Sequence, residues 1–250
     1  MAGIDTYTKL ILHCDGADAS TTFTDSSTAQ AAKTQTAAGN SQIDTAQSKF
    51  GGASGLFDGT GDYVTSPDSA DWDFGTADFT VDMWVRFAAI TATHDLVARV
   101  VNTAGTINFK LKMSATALAI VFGGATPKSE AWSPVIDTWY HIAVTRSGTD
   151  LQFWVDGTQL GTATTNSTDI SYSETLSIGG DFENNIEYLN GWIDELRISK
   201  GIARWTGDFT PPTAAYSATE IKTINSLAIA SVKAVKGLAI ASMKTRNGLA

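Results

Sequence analysis

Phe79-Thr-Val-Asp-Met-Trp-Val-Arg-Phe87 is the stretch of sequence that decides the fold class. Every odd-numbered residue in it is apolar, whereas the residues between them include Thr80, Asp82 and Arg86. The faces of a helix repeat every 3.6 residues, so a two-residue alternation of this length is typical of a strand. We therefore predict a β-strand that turns one face toward a core.

Short runs of the same kind follow along the chain, separated by turns rich in Gly and Asp. We predict further strands over Leu96–Val101, Ile107–Met113, Ala117–Phe122, Trp139–Arg146, Leu151–Val155, Leu176–Ile178 and Trp192–Ser199. Residues 15–50, which are rich in Thr, Ser, Ala and Gln, are expected to form surface loop with one or two edge strands. The pattern predicts an all-β protein, a two-sheet antiparallel jelly-roll sandwich.

The composition is that of a chain able to fold without crosslinks. It has 250 residues, 43% of them hydrophobic, and a single cysteine. That cysteine, Cys14, lies in an apolar run and is expected to be a buried hydrophobe. The first residues, Met-Ala-Gly-Ile-Asp-Thr, do not predict a signal peptide. Nor is there an apolar run of about 18 residues, so we expect no membrane insertion.

Charge is unevenly distributed along the chain. Residues 221–250 carry five basic side chains and no acidic one, whereas residues 1–220 carry 12 basic and 26 acidic side chains. A body with a net charge of −14 lacks the clustered Lys and Arg that phosphate recognition requires. We therefore expect no nucleic-acid partner.

The basic C-terminal segment contains an internal repeat. Residues 226–236 and 237–247 align with a period of 11 residues, with Gly237 and Gly248 one repeat apart. This spacing fits strand-turn units, but an 11-residue period also fits a helix, and both interpretations stay open. We predict a body over residues 1–216 and a tail over 217–250. A segment of about 30 residues with one apolar face cannot form a core alone. Residues 221–250 are therefore predicted to dock on another subunit or protein.

Several motifs occur in the order typical of one family. They are Leu12-His-Cys-Asp-Gly16, Thr24-Asp-Ser-Ser27, Phe50-Gly-Gly-Ala-Ser-Gly-Leu-Phe-Asp-Gly59, Asp78–Phe87, Thr138–Arg146, Phe153-Trp-Val-Asp-Gly157 and Gly191-Trp-Ile-Asp-Glu-Leu-Arg-Ile-Ser199. Over residues 8–213 the chain resembles concanavalin A-like lectin/glucanase domains of the laminin-G-like kind. The run Ser199-Lys-Gly-Ile-Ala-Arg-Trp-Thr-Gly-Asp-Phe-Thr-Pro-Pro212 is similar to the version common in phage structural proteins. The resemblance implies a two-sheet jelly roll, frequent glycan binding and, in some members, a structural calcium ion.

The resemblance also implies a place and partners for the protein. We expect a protein of the virion surface, made in the host cytoplasm, such as a tail or head fibre, an adhesin or a capsid decoration protein. It would recognise host or environmental carbohydrate and contact other virion proteins through residues 221–250. By analogy with fibres we expect a homo-oligomer, a trimer. The alternative is a purely structural decoration or scaffold protein without a glycan ligand.

Catalytic chemistry is not predicted. Hydrolytic relatives place Glu, Asp and Glu at alternate positions of one strand, and no such pattern occurs here. Asp194 and Glu195 are adjacent, and adjacent residues of a regular strand point to opposite faces. Three scattered histidines and one cysteine also make zinc an unfavourable prediction. We therefore expect a protein that is not an enzyme.

Two sets of side chains are candidates for binding. The resemblance implies that the two ends of the domain meet, so Asp15 and Asp194 are predicted calcium ligands, the alternative being a turn residue and a capping or ion-pairing residue. Sugar binding needs aromatic faces beside polar groups. The candidates for that role are Trp72, Trp132, Asp181, Asn184 and Asn185. The alternative for both tryptophans is that each fills an edge of the core.

Overall fold

β-strands make up nearly all the regular structure in the residues that the computed structural model describes, which are 3–27, 31–100 and 107–217. The strands are β1 Thr8–Leu12, β2 Thr36–Ala38, β3 Gln42–Asp44, β4 Ser54–Asp58, β5 Tyr63–Ser66, β6 Phe79–Phe87, β7 His94–Val100, β8 Ile107–Met113, β9 Ala117–Phe122, β10 Ala125–Ala131, β11 Trp139–Ser147, β12 Asp150–Val155, β13 Thr158–Thr165, β14 Leu176–Ile178 and β15 Asn190–Lys200. One 3₁₀ helix, Ala70–Trp72, lies between β5 and β6. Within these residues no helix is long and apolar enough to cross a membrane.

The strands form two antiparallel sheets. The eight-stranded sheet has the order β13-β12-β11-β6-β15-β4-β3. Its eighth strand, β1, pairs with the C-terminal half of β15, whereas β4 pairs with the N-terminal half. The seven-stranded sheet has the order β10-β9-β8-β7-β14-β5-β2. Many connections pass from one sheet to the other, as in a jelly roll. The all-β sandwich predicted from the sequence is confirmed.

The core lies between the inner faces of the two sheets. In β6 the predicted alternation is confirmed, because all five odd-numbered residues from Phe79 to Phe87 belong to the core. The rings of Phe74 and Phe79 stack with centroids 4.6 Å apart, and Phe109 packs edge-to-face on both. Such aromatic packing adds to the burial of apolar area that stabilises a sandwich.

The outer face of the eight-stranded sheet carries a second, polar packing layer. Asp82 and Arg197 are fully buried there and form a bidentate ion pair, with Oδ1 of Asp82 3.0 Å from Nε and Oδ2 3.1 Å from Nη2. The hydroxyl of Tyr216 donates to Asp82, and its ring lies 3.8 Å from the Arg197 guanidinium carbon. The segment that follows β15 therefore folds back over this sheet and satisfies its buried charges.

All eight strands predicted from the sequence are present among the described residues, but five further strands were not predicted. β6, β8, β9 and β14 have the predicted bounds, and β7, β11, β12 and β15 differ from them by one or two residues. β2 and β3 are the edge strands expected within residues 15–50. The strands that the sequence did not predict are β10 and β13, which lie at the opposite edges, and β1, β4 and β5, which contain core residues. Val101 and residues 218–250 of the predicted tail lie outside the described residues.

Candidate functional site

The loop of residues 181–189 joins β14 to β15 at one end of the sandwich. Its path depends on the two glycines before it. A side chain at Gly179, whose φ is +81°, would meet the Phe57 ring at 2.4 Å, and one at Gly180 would meet the Tyr188 ring at 2.7 Å. Both positions therefore need glycine so that the loop can close against the sandwich. We call residues 181–189 the aromatic loop.

Asp181 holds the aromatic loop from within. Its Oδ1 accepts hydrogen bonds from the amides of Glu183 and Asn184, each at 3.1 Å, in an Asx turn. Its Oδ2 accepts from the Asn184 side-chain amide at 2.7 Å. Asp181 is fully buried, so it shapes the loop, and the ligand contact predicted for its side chain is wrong.

A buried lysine ties the aromatic loop to the seven-stranded sheet. Nζ of Lys110, on β8, lies 2.7 Å from Oδ2 of Asp95, 2.9 Å from Oδ2 of Asp181 and 2.8 Å from Oε2 of Glu187. Burial raises the pKa of Asp95 well above its usual value, and the neighbouring Glu187 adds to that rise. Burial also acts to raise the pKa of Glu187, but the hydrogen bond and charge of Lys110 outweigh it and lower that pKa. Both carboxyl groups share one ammonium group and Asp95 is inaccessible, so they do not face each other across a substrate cleft.

Three aromatic rings and two amides lie on the outside of this anchored loop. Tyr63, on β5, and Phe182 have ring centroids 6.1 Å apart, and Tyr188 follows in the same loop. All three rings are half-buried, whereas Asn184 and Asn185 are exposed and Ile186 is 48% exposed. Partly exposed aromatic rings near amide groups suit a sugar ring, which has an apolar face and hydroxyl groups at its edge.

The structure does not support Trp72 as a binding residue. Its indole is 0% exposed, and Nε1 donates to the carbonyl oxygen of Pro67 at 3.0 Å. Trp72 is the buried residue of the 3₁₀ helix, and it belongs to the core together with Phe74. The prediction of a stacking face at Trp72 is wrong, and its alternative, a side chain that fills the core edge, is what the structure has.

Trp132 is half-buried and packs against the core. Its ring lies edge-to-face on Tyr140, with centroids 5.2 Å apart, and 6.5 Å from the Phe87 ring. Phe87 in turn contacts His94, whose Nδ1 lies 2.7 Å from the Tyr188 carbonyl oxygen. Trp132 is thus separated from the aromatic loop by two side chains, and its role in binding stays a prediction.

The pairing of β1 with β15 brings the segment of Asp15 toward Asp194, close enough for the charge of Asp15 to raise the pKa of Asp194. Asp194 is fully buried, and its Oδ2 accepts from the amides of Lys49 and Phe50 at 2.8 and 2.9 Å. Its Oδ1 is buried without a hydrogen-bond partner. Burial, together with the charges of Glu195 and Asp15, raises the pKa of Asp194 to about 7 against the opposing effect of these two hydrogen bonds. The described residues contain no group of three or more His, Cys, Asp or Glu arranged to hold a metal, and calcium binding by Asp15 and Asp194 stays a prediction.

A β-bulge overturns the expectation that Asp194 and Glu195 point to opposite faces. The register between β15 and β6 shifts between Asp194 and Arg197, and Glu195 has a φ of +51°. Oε1 of Glu195 lies 2.7 Å from Nδ1 of His13, and Oε2 accepts from the Tyr216 amide at 2.7 Å. The extra residue breaks the two-residue alternation, so both carboxylates lie near the segment that follows β1.

The sequence predicts the polar residues Asn184 and Asn185 of the aromatic loop as binding residues, but not the aromatic residues beside them. Phe182 and Tyr188 flank the predicted Asn184 and Asn185 in sequence, so their presence in the same polar loop was the available signal. Tyr63 is separated from them by more than a hundred residues, and only the pairing of β5 with β14 brings it close. The sequence likewise does not predict the role of Lys110, because a lysine between apolar residues of a strand is expected to point toward solvent.

The described residues thus form a two-sheet jelly roll with an aromatic site at one end, which defines a lectin-like β-sandwich. The profile of the family described as the concanavalin A-like lectin/glucanases superfamily matches residues 58–204, more than half of the chain. The chain belongs to this superfamily. No curated protein sequence matches the chain significantly.

Solved structures with the same fold include bacterial carbohydrate-active and toxin domains. Domain 4 of AbnA, a GH43 extracellular arabinanase from Geobacillus stearothermophilus solved in complex with arabinotriose, has a TM-score of 0.59 at 18% identity, with 78% of this chain and 93% of that chain covered. A structure of botulinum neurotoxin type C, whose cell entry depends on interaction with two ganglioside molecules, has a TM-score of 0.58 at 14% identity, with 80% and 49% covered. The receptor binding domain of a botulinum neurotoxin C/D mosaic serotype has a TM-score of 0.60 at 13% identity, with 79% and 49% covered. The chain spans about half the length of the toxin chains, and at these identities the likeness establishes the fold.

Proposed function

We propose that the protein is a non-enzymatic carbohydrate-binding protein whose aromatic loop, together with Tyr63, forms the sugar-binding surface. The observation that carries the proposal is the Tyr63–Phe182 ring pair, with Tyr188 in the same loop and its hydroxyl 3.4 Å from Oδ1 of the exposed Asn185. A ligand meeting these rings loses little entropy of ordering, since Lys110 and Asp181 already fix the loop.

The similar structures support carbohydrate as the ligand class. The arabinanase domain was solved in complex with arabinotriose, and the type C neurotoxin depends on two ganglioside molecules for cell entry. Membership of a superfamily that holds both lectins and glucanases leaves hydrolysis as the rival. Asp95, Asp181 and Glu187, three carboxyl groups that lie close together at the aromatic loop, are all bound to one lysine, which favours binding over catalysis.

We further propose that the protein acts on a virion surface, as a fibre, an adhesin or a decoration protein. The support is the similarity of residues 199–212 to the version of this domain common in phage structural proteins. Residues 221–250 would then dock on other virion proteins or on further copies of the chain. A calcium ion at Asp15 and Asp194 belongs to the same proposal, with a structural role.

A glycan array tests the binding proposal. Full-length protein and a 1–217 truncation are applied with calcium and again with chelator, and Tyr188→Ala and Phe182→Ala serve as site variants. Tyr7→Ala is the matched control, since Tyr7 is an exposed tyrosine on the segment before β1. We expect binding by both lengths and by the control, and loss in both site variants. The absence of binding to any glycan by the folded protein would overturn the proposal in favour of a decoration protein without a ligand.

A further inference from the structure

A cavity of about 380 Å³ opens beside the β3 edge of the eight-stranded sheet. Its lining residues are Thr21, Gly39, Asn40, Gln42, Leu56 and Asp58. None of them belongs to the aromatic loop. We propose that this cavity is a second binding site, which takes one neutral sugar unit. The inference rests on the proposed carbohydrate-binding function and adds to it a subsite with its own ligand class.

Leu56 is the one large apolar side chain among the lining residues of the cavity. Leu56, on β4, pairs with Gln42 on one side and with Trp192 on the other. Neighbouring strands lie about 4.7–4.9 Å apart, so these three side chains form a row on the outer face of the sheet. Leu56 and Trp192 are half-buried and neither belongs to the core. Leu56 therefore gives the cavity an aliphatic contact beside the Gln42 amide, a combination that suits the apolar face of a sugar ring. Trp192 is not among the lining residues, but it borders Leu56 in this row.

The indole of Trp192 is held in place before any ligand arrives. Its Nε1 donates to Oδ2 of Asp44 at 2.7 Å. On its other side the guanidinium carbon of Arg86 lies 4.7 Å from the ring centroid, and Nη1 of Arg86 pairs with Asp137 at 2.9 Å. A cation over an indole face is attracted by the ring electrons, and this contact fixes the ring further.

The polar rim is fixed by a buried carboxylate beneath it. Asp62 is fully buried, and its two oxygens accept hydrogen bonds from the backbone amides of Asn40 and Asp58. Asp62 thereby clamps together the two turns that carry these rim residues. Gly39, with a φ of +64°, lies so close to the clamp that a side chain there would meet Oδ1 of Asp62 at 2.4 Å. The rim is therefore built by a buried polar group and does not depend on loose surface side chains.

The chemistry of the rim selects the ligand. Two amides donate and accept, Thr21 does both through its hydroxyl, and the carboxylate of Asp58 accepts only. This set matches a ring with several hydroxyl groups. The Asp58 charge, in a body of net charge −14 over residues 1–220, disfavours anionic sugars. The volume falls at the small end of the roughly 300–1,000 Å³ range of small-molecule sites, which fits one sugar unit better than a long chain.

The test is a titration of the ¹⁵N-labelled full-length protein, followed through the side-chain amide signals of Asn40 and Gln42. The probes are free arabinose, galactose and glucose, with N-acetylneuraminic acid as the anionic comparison. We expect at least one neutral sugar, and not the anionic one, to shift these signals. Gln42→Ala should weaken that affinity about threefold to tenfold, the loss of one neutral hydrogen bond. Thr21→Trp, which fills the cavity, should abolish the shifts of Asn40 and Gln42.

Gln159→Ala is the matched control, because Gln159 is a half-buried glutamine on β13, at the other edge of the same sheet. The Gln159→Ala variant should bind the sugar with the affinity of the unaltered protein. The Tyr188→Ala variant should still show the shifts of the Asn40 and Gln42 signals. The proposal is overturned if no neutral sugar shifts these amides, or if Gln42→Ala and the control behave alike. If only the proposal about the aromatic loop is wrong, the glycan array will show no binding while neutral sugars still shift the Asn40 and Gln42 signals.

Discussion

Nζ of Lys110 lies 2.8 Å from Oε2 of Glu187, and this ion pair fastens the aromatic loop to strand β8 of the seven-stranded sheet. The same ammonium group also pairs with the buried Asp95 and Asp181. One lysine therefore balances three carboxyl groups beneath the proposed sugar-binding surface. The rigidity of the loop depends on a charge that comes from a different part of the chain.

Removal of that charge should destabilise the protein strongly. Lys110→Met keeps the length of the side chain but leaves buried carboxyl groups unpaired, a change that typically costs about 3–5 kcal/mol. Chemical denaturation measures the free energy of unfolding. Lys112→Met is the control, since Lys112 is a half-buried lysine two residues further along the same strand. Equal losses in the two variants would show that the cluster has no special role.

Stability without calcium should fall as the pH rises from about 5 to 8. The pKa of Asp194 is raised to about 7 by burial, so the folded state holds a proton there that the unfolded state releases near its ordinary pKa. His13 acts in the same direction, because its hydrogen bond to Glu195 raises its pKa. A group whose pKa is higher in the folded state than in the unfolded state stabilises the fold fully at a pH below the unfolded-state pKa. This stabilisation is lost as the pH rises through the folded-state pKa.

The variant Asp194→Asn should flatten that profile in the presence of chelator. The amide oxygen can still accept from the Lys49 and Phe50 amides, but it carries no charge to bury. Urea denaturation at several pH values is the measurement, with the exposed Asp150→Asn as control. A profile that stays as steep as that of the unaltered protein would contradict the assignment.

Calcium should restore stability at the alkaline end of the range. A calcium ion at Asp15 and Asp194 would favour the ionised carboxylates, and a concentration about 100 times Kd would add about 2.7 kcal/mol. The melting temperature at about pH 8, measured with calcium and with chelator, tests this. The increase should be absent in Asp194→Asn and in Asp15→Asn. An increase of the same size in all three proteins would place calcium elsewhere.

The two tryptophans proposed from the sequence should differ in their contribution to folding. Trp72→Ala removes a fully buried indole, so the expected cost is about 3–5 kcal/mol. Trp132→Ala removes a half-buried ring and should cost less. Denaturation of both variants gives the comparison. A smaller loss for Trp72→Ala than for Trp132→Ala would contradict the burial that the structure assigns to them.

The sequence predicts the fold where burial and periodicity coincide. β6 is fully specified by its alternation, because one of its faces lies in the core. β10 and β13 escape prediction because most of their residues are exposed or half-buried, so hydrogen bonding to a neighbouring strand, and not apolar burial, holds them. The bulge at Glu195 is equally hidden, since a left-handed φ at a glutamate has no marker in the residue type.

The candidate site was predictable only in part, for a related reason. Asn184 and Asn185 stand out in a polar loop, whereas the role of Lys110 depends on three carboxylates that are distant from it in sequence. Asp181 carries the same polar signal as the two asparagines, yet it is buried as the structural anchor of the loop. A polar residue in a loop can serve the ligand or the loop itself, and only the three-dimensional contacts distinguish the two.

The most direct test of the central claim is the affinity of the strongest array ligand for Tyr188→Ala, measured by isothermal titration calorimetry beside Tyr7→Ala and the unaltered protein. An aromatic side chain at the centre of a binding site is worth about 2 kcal/mol or more, so we predict an affinity about 30-fold weaker for Tyr188→Ala and an unchanged one for Tyr7→Ala. Equal affinities for all three folded proteins would contradict the claim that the aromatic loop binds the sugar.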